Sequence, residues 1–138
     1  MEIKVFQSLP KAAAEIRRTV FMGEQGFKDE FDDFEENSAH FLGLIDGKAV
    51  GTSRVHFEPK FNSFKIGRIA VLKDYRGQHI GEAMVKAAED WLKEQGQKNV
   101  VILAQVQAVG FYEKLGYIKT DYTCMDEHCP HILMTKIL

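Results

Sequence analysis

The 138 residues carry 18 Lys and Arg against 20 Asp and Glu, a net charge of −2, and 45% of them are apolar. This is length enough for a single domain over residues 1–138 with a core of its own, but there is no global basic field for nucleic acid and no apolar run as long as a membrane span. Two cysteines, Cys124 and Cys129, make no disulfide framework, and the opening MEIKVFQSLPK lacks a long apolar signal core, so a cytoplasmic protein is expected.

Alternation over Glu2 to Phe6 predicts a first strand. Ser8 and Pro10 then suit the start of a helix running to about Met22, with Ala13, Ile16, Val20 and Phe21 inward and Gly23 and Gly26 ending it. Lys28 to Glu36 is strongly acidic. It reads first as a solvated loop or short helix, and second as a negative rim that would attract a cationic amine. Ala39–Ile45 and Ala49–Phe57 read as strands joined by the hairpin signal Asp46-Gly47. A loop over Pro59 to Ser63 leads to a strand over Phe64–Leu72.

The polar turn Lys73 to His79 follows, then a helix to about Gln95 stopped by Gly96. Ile80, Met84, Ala87, Ala88 and Trp91 recur at helical spacing and predict one buried stripe, with Glu82–Lys86 and Glu89–Lys93 as pairs on the wet side. Asn99 to Val106 is a continuous apolar run, as in a parallel strand covered on both faces. With the preceding strand and helix it makes a right-handed βαβ crossover. Ala108 to Leu115 is a short helix ended by Gly116, and Tyr117–Cys124 and His131–Ile137 close the chain as strands. The fold class is α/β, a mixed sheet with helices on both faces.

Strand, glycine-bearing turn and helix N-terminus form a ready anion site, because backbone N–H groups point outward and the helix dipole favours negative charge. Arg76 lies beside it as a bidentate phosphate partner. The run Arg76-Gly77-Gln78-His79-Ile80-Gly81 resembles the pyrophosphate loop of the GCN5-related N-acetyltransferases (GNAT), Arg/Gln-x-x-Gly-x-Gly/Ala, with His79 at the first glycine position. Phe111-Tyr112-Glu113-Lys114-Leu115-Gly116-Tyr117, after an apolar strand, resembles the second hallmark of that superfamily. Both motifs in order are far more specific than either alone. Arg18 to Gln25, the acidic segment, His40 and the ending Pro130-His131-Ile132-Leu133-Met134 are similar to the bacterial branch that holds the glyphosate N-acetyltransferases.

The resemblance implies a GNAT-like acyl-CoA N-acyltransferase fold whose two adjacent parallel strands splay apart, and acetyl-CoA (coenzyme A) as the co-substrate. It implies Arg76, Gly77, Gln78, His79, Ile80 and Gly81 as diphosphate contacts, and the N–H groups of Ile69, Ala70 and Val71 as partners for the thioester and pantetheine. Tyr112 is then the proton donor to the departing thiolate and also touches the cofactor. His131 is the general base, its ordinary pKa of about 6.5 suiting work near neutrality, with Glu24 as the runner-up through a water.

Glu24, Arg68 and Gln105 are the candidate acceptor contacts, Arg68 facing either the acceptor or the acidic segment. Met22 and Gln105 stand where the glyphosate branch has arginines, which speaks against an anionic phosphonate. The acidic segment favours a cationic small-molecule amine. Cys124, His128, Cys129 and His131 are spaced poorly for zinc, and no metal is expected. Neither a nucleic-acid nor a membrane partner is expected, and a homodimer is left open. The alternative function is a non-catalytic acyl-CoA sensor or interaction module on the same fold, which would need neither Tyr112 nor His131.

Overall fold

A computed structural model describes residues 1–138. Seven strands form one sheet in the order β1-β2-β3-β4-β5-β7-β6. They are β1 (Glu2–Phe6), β2 (Ala39–Ile45), β3 (Lys48–Glu58), β4 (Ser63–Val71), β5 (Asn99–Gln105), β6 (Ile118–Asp126) and β7 (Cys129–Ile137). Every neighbouring pair is antiparallel except β4 and β5. The helices are α1 (Lys11–Arg17), α2 (Ile80–Glu94) and α3 (Val109–Lys114).

Each face of the sheet is covered. α2 lays Ile80, Met84, Val85, Ala88 and Leu92 on a core of Phe41, Val50, Val55, Ile66, Val100, Ile102 and Met134. Full burial of side chains such as Met84 and Leu92 stabilises by about 1.5–3 kcal/mol each. The opposite face packs Ala13, Ile16, Val20 and Phe21 against Phe27, Leu42, Ala70 and Cys129. No helix is long and apolar enough to cross a membrane.

Four local expectations are corrected. The first helix has no side-chain cap from Ser8, since Pro10 occupies the cap position in extended geometry. Its later half, Arg18–Glu24, widens into a π-helical turn, with Gln25 N–H donating to the Val20 carbonyl at 3.1 Å. Glu89 is not on the wet side: it is buried and accepts from the Tyr117 hydroxyl at 2.7 Å and from Lys136 at 3.0 Å. The last hairpin is tighter than expected because Glu127 adopts a left-handed φ of 53°, so β6 reaches Asp126 and β7 starts at Cys129.

The feature that positions everything else lies on β4. Thr52 pairs with Ala70 and Arg54 with Gly67, so Ser53 alone faces both Arg68 and Ile69. This is a β-bulge, with Arg68 at φ 51°, and a bulge bends its strand. Next to it β4 registers with β5 at one position, Lys65 opposite Val101. The two parallel strands therefore diverge towards their C-terminal ends, and a wedge opens between them.

Candidate active site

The turn between β4 and α2 holds the residues of the first motif. Gly77 has φ 78° and His79 φ 62°. The left-handed geometry that glycine would supply at His79 is thus met by a histidine, a residue enriched among non-glycine residues in that region. His79 holds the N-cap position of α2 without a side-chain capping bond, so the helix's first N–H groups are left without an intrahelical acceptor. A cavity of about 680 Å³ opens onto this turn. It is lined on one side by Arg76, Gly77, His79, Ile80 and Gly81 and on the other by Ile69, Ala70 and Val71, with Phe111, Tyr112 and Lys114 from α3. Gln78 is exposed and lines neither cavity.

Arg76 folds back on its own loop. Its Nε donates to the Val71 carbonyl at 3.0 Å, and its terminal nitrogen reaches Glu24 at 2.8 Å. Glu24 is therefore placed beside the anion turn, tied to Arg76, and lines neither cavity. The reason is the π-helical turn, which carries Glu24 past the end of α1 towards the β4–α2 connection. The geometry thus removes Glu24 from the acceptor contacts and weakens its standing as a base.

A second cavity of about 210 Å³ lies further down the wedge. Phe21, Gln25, Phe27, Lys65, Arg68, Ile69, Gln105, Tyr112 and His131 line it, with Asp29, Glu30 and Asp126. The cavities share Gln25, Ile69, Ala108 and Tyr112, so they meet at the tyrosine. The Tyr112 ring is held edge-on by Phe111 and Tyr117 at centroid distances of 5.1 and 6.0 Å. Burial pushes its phenol well above the ordinary value, so it stays protonated through the neutral range.

Residues directly opposite on paired strands share a sheet face, and Gln105 stands opposite His131. The imidazole is 7% exposed, and its Nδ1 lies 2.9 Å from the Cys129 carbonyl oxygen. A carbonyl can only accept, so Nδ1 carries the hydrogen and Nε2 of the neutral ring keeps its lone pair. Gln105 donates to the Gln25 side chain at 2.8 Å, closing the side of the cavity nearest the shared boundary.

The acidic segment is not the free negative rim that its composition suggested. Glu30 is buried, bonded by Arg17 at 2.6 Å and Arg68 at 3.0 Å. Asp32 takes Arg54 at 2.7 Å and Arg68 at 3.3 Å. Glu35 takes Arg17 at 2.6 Å and Arg54 at 3.1 Å. Three carboxylates meet three guanidiniums, with Arg17 and Arg54 each 1% exposed. Burial acts to raise the Glu35 carboxyl, but the Arg17 hydrogen bond and the Arg54 charge outweigh it and bring it down to about 2. For Glu30 burial wins over the pull of Arg68 and Arg17, and its carboxyl is raised. Arg68 thus clamps the segment and also lines the cavity.

Sequence reasoning singled out Tyr112, His131, Arg68 and Gln105, which all line one cavity. It missed Gln25, Phe27, Lys65 and Asp126. The sole local signal for Lys65 is a charged residue between Phe64 and Ile66 on a central strand.

Known proteins share this architecture. Residues 7–117 match the model of the acetyltransferase (GNAT) family. A Bacillus subtilis (strain 168) protein, provisionally named an acetyltransferase, is 42% identical over 90% of this chain and 86% of its own. The crystal structure of a Lactobacillus plantarum protein, provisionally named an N-acetyltransferase, superposes with a TM-score of 0.87 at 27% identity, covering 99% of this chain and 97% of that one. An aminoglycoside 6'-N-acetyltransferase complexed with coenzyme A shares the fold at a TM-score of 0.76 and 15% identity, with 99% and 97% covered. These similarities do not single out the glyphosate branch.

Proposed function

Because the chain belongs to the acetyltransferase (GNAT) family, we propose that this N-acetyltransferase uses acetyl-CoA as its donor and a small-molecule amine as its acceptor, within the wedge between β4 and β5. The observation that carries the reading is the single registered pair between those strands, with two cavities that meet at a buried tyrosine. The residues present suit coenzyme A. The larger cavity falls in the size range of small-molecule sites, and its rim joins a helix N-terminus to backbone in the left-handed region and to the cations Arg76 and Lys114. That combination is made for a diphosphate.

Acetyl-CoA supplies the acetyl group as an activated thioester. The chain's residues have four tasks. Backbone N–H groups of the first turn of α2, with Gly77 and Arg76, hold the diphosphate. The N–H groups of Ile69 and Val71 are the donors for the acyl oxygen and the pantetheine amides, because β4 leaves β5 before reaching them. That of Ala70, opposite Thr52 and two residues before the Leu72 N–H that donates to Val50, is turned to β3 instead. His131 accepts the ammonium proton of the acceptor at Nε2, which its Nδ1 hydrogen bond leaves free. Tyr112 gives its hydroxyl proton to the leaving sulfur, whose thiol has a pKa of about 8.5, and regains one from solvent. Confinement in the wedge supplies the entropic part of the rate.

The test is thiol release from acetyl-CoA over a panel of amines, alongside calorimetric titration with coenzyme A. Saturable binding with amine-dependent thiol release is expected. Absence of coenzyme A binding would refute the reading.

A further inference from the structure

The inner wall of the smaller cavity carries a charge that the protein does not answer. Lys65 lies at the apex of the wedge, opposite Val101, and lines the cavity with Arg68. Arg68 is already committed to Glu30 and Asp32. Asp32 is shared between Arg54 and Arg68, and Glu58 stands 3.7 Å from His56, the cross-strand neighbour of Lys65. Neither carboxylate forms an ion pair with Lys65, and no hydrogen-bond acceptor in the protein meets its ammonium. Burial, then the charges of Arg54 and Arg68, lower its pKa, with Glu58 and Asp32 opposing from further off. Lys65 is half-buried, and a cation taken partly out of water without a partner carries a cost that an anion brought to it repays.

The far end of the cavity has the opposite character. Asp29 and Asp126 are exposed on its lining, near His131. Glu127 ties that end shut by accepting from the Lys28 and Asp29 backbone N–H groups at 2.9 Å each. Lys65 is level with Val101 and His131 with Gln105. Four strand residues separate those levels, about 13 Å, shortened by the reach of the lysine side chain.

Resting on the acetyltransferase reading above, we propose that the acceptor is an amino acid in the broad sense, with a carboxylate held by Lys65 at the apex and an amine presented towards His131. This reverses the preference for a purely cationic amine drawn from composition, because the carboxylates behind that preference are mostly consumed by arginines. It also needs no arginine at Met22 or Gln105.

The test compares acids with their carboxamides as acceptors: glycine with glycinamide, β-alanine with β-alaninamide, 4-aminobutyrate with 4-aminobutyramide. Each pair keeps the amine and removes the negative charge. The wild-type enzyme is expected to favour at least one acid over its amide by about 10- to 100-fold in kcat/KM, the range of a hydrogen bond to a charged group. Lys65→Gln should bring that ratio near one, Lys65→Arg should keep most of it, and KM for acetyl-CoA should not change. Should Lys65→Gln fail to fold, Lys65→Met and the wild-type ratio still decide.

Amides matching or exceeding acids in the wild type would overturn the proposal while leaving acetyl transfer intact. So would an equal loss on acids and amides in Lys65→Gln. If coenzyme A binds but no member of the panel reacts, the acids are titrated by calorimetry in its presence, and lack of saturable binding overturns it as well. Lack of coenzyme A binding is the separate result that removes the underlying reading.

Discussion

Replacing Tyr112 with Phe removes one oxygen and leaves the rest of the site in place. The ring contacts with Phe111 and Tyr117 do not involve that oxygen, and burial alone accounts for the raised pKa of the phenol, with no hydrogen bond contributing. The substitution therefore orphans no buried group, and a stability change within about 1 kcal/mol is expected. The effect on turnover should be far larger. General acid catalysis contributes about 10²–10⁴-fold. A thiolate whose conjugate acid has a pKa of about 8.5 leaves fairly well unaided, so the lower end applies: kcat should fall about 100-fold, or about 2.7 kcal/mol in the barrier. The assay is thiol release at saturating amine, with coenzyme A affinity and melting temperature measured on the same sample. Unchanged affinity and melting with a kcat within 3-fold of wild type would refute the role of proton donor.

Three further outcomes follow from the same geometry. His131→Gln should abolish the acidic limb of the kcat/KM profile while leaving coenzyme A binding intact; a preserved limb would remove His131 as the base. Glu24→Gln frees Arg76 from its partly exposed ion pair, and such pairs are worth about 0–1 kcal/mol. Coenzyme A should then bind equally well or up to about 5-fold tighter by calorimetry, and weaker binding would show that Glu24 supports the turn. Arg17→Met leaves Glu30 and Glu35 short of a partner in a buried cluster and should cost about 3–5 kcal/mol in denaturant unfolding.

That cluster also sets an acid limit. Glu35 titrates near 2 in the folded chain, and the Asp32 carboxyl is lowered too, Arg54 outweighing the opposing effect of burial. A carboxylate depressed on folding stabilises fully above its unfolded pKa of about 4.3 and loses that contribution as pH falls through the folded value. Thermal melts should therefore decline between about pH 5 and pH 2, and Glu35→Gln should flatten that decline.

Much of the site could be read from local pattern. The two motifs located the anion turn and Tyr112, and the Pro-His-Ile-Leu-Met ending pointed to His131. Charge was harder to read: the pairing of Arg68 with the acidic segment was one of two alternatives and holds, but the free negative rim does not. The segment from Lys28 to Glu36 displays its carboxylates openly, yet its partners Arg17, Arg54 and Arg68 come from a helix and two strands. Glu24 likewise looked like an acceptor contact until the π-helical turn carried it to Arg76.

By itself the sequence determined the succession of elements, since helical and strand periodicity, turn residues and the glycine stops are properties of neighbouring residues. It also determined the family and the residue types that family chemistry needs. Only the tertiary structure decided which charges cancel, which stay open, and where the wedge begins. Those depend on distances between residues far apart in the chain: a bulge opposite Ser53 bends β4 off β5 and leaves Lys65 facing the cavity without a counter-charge.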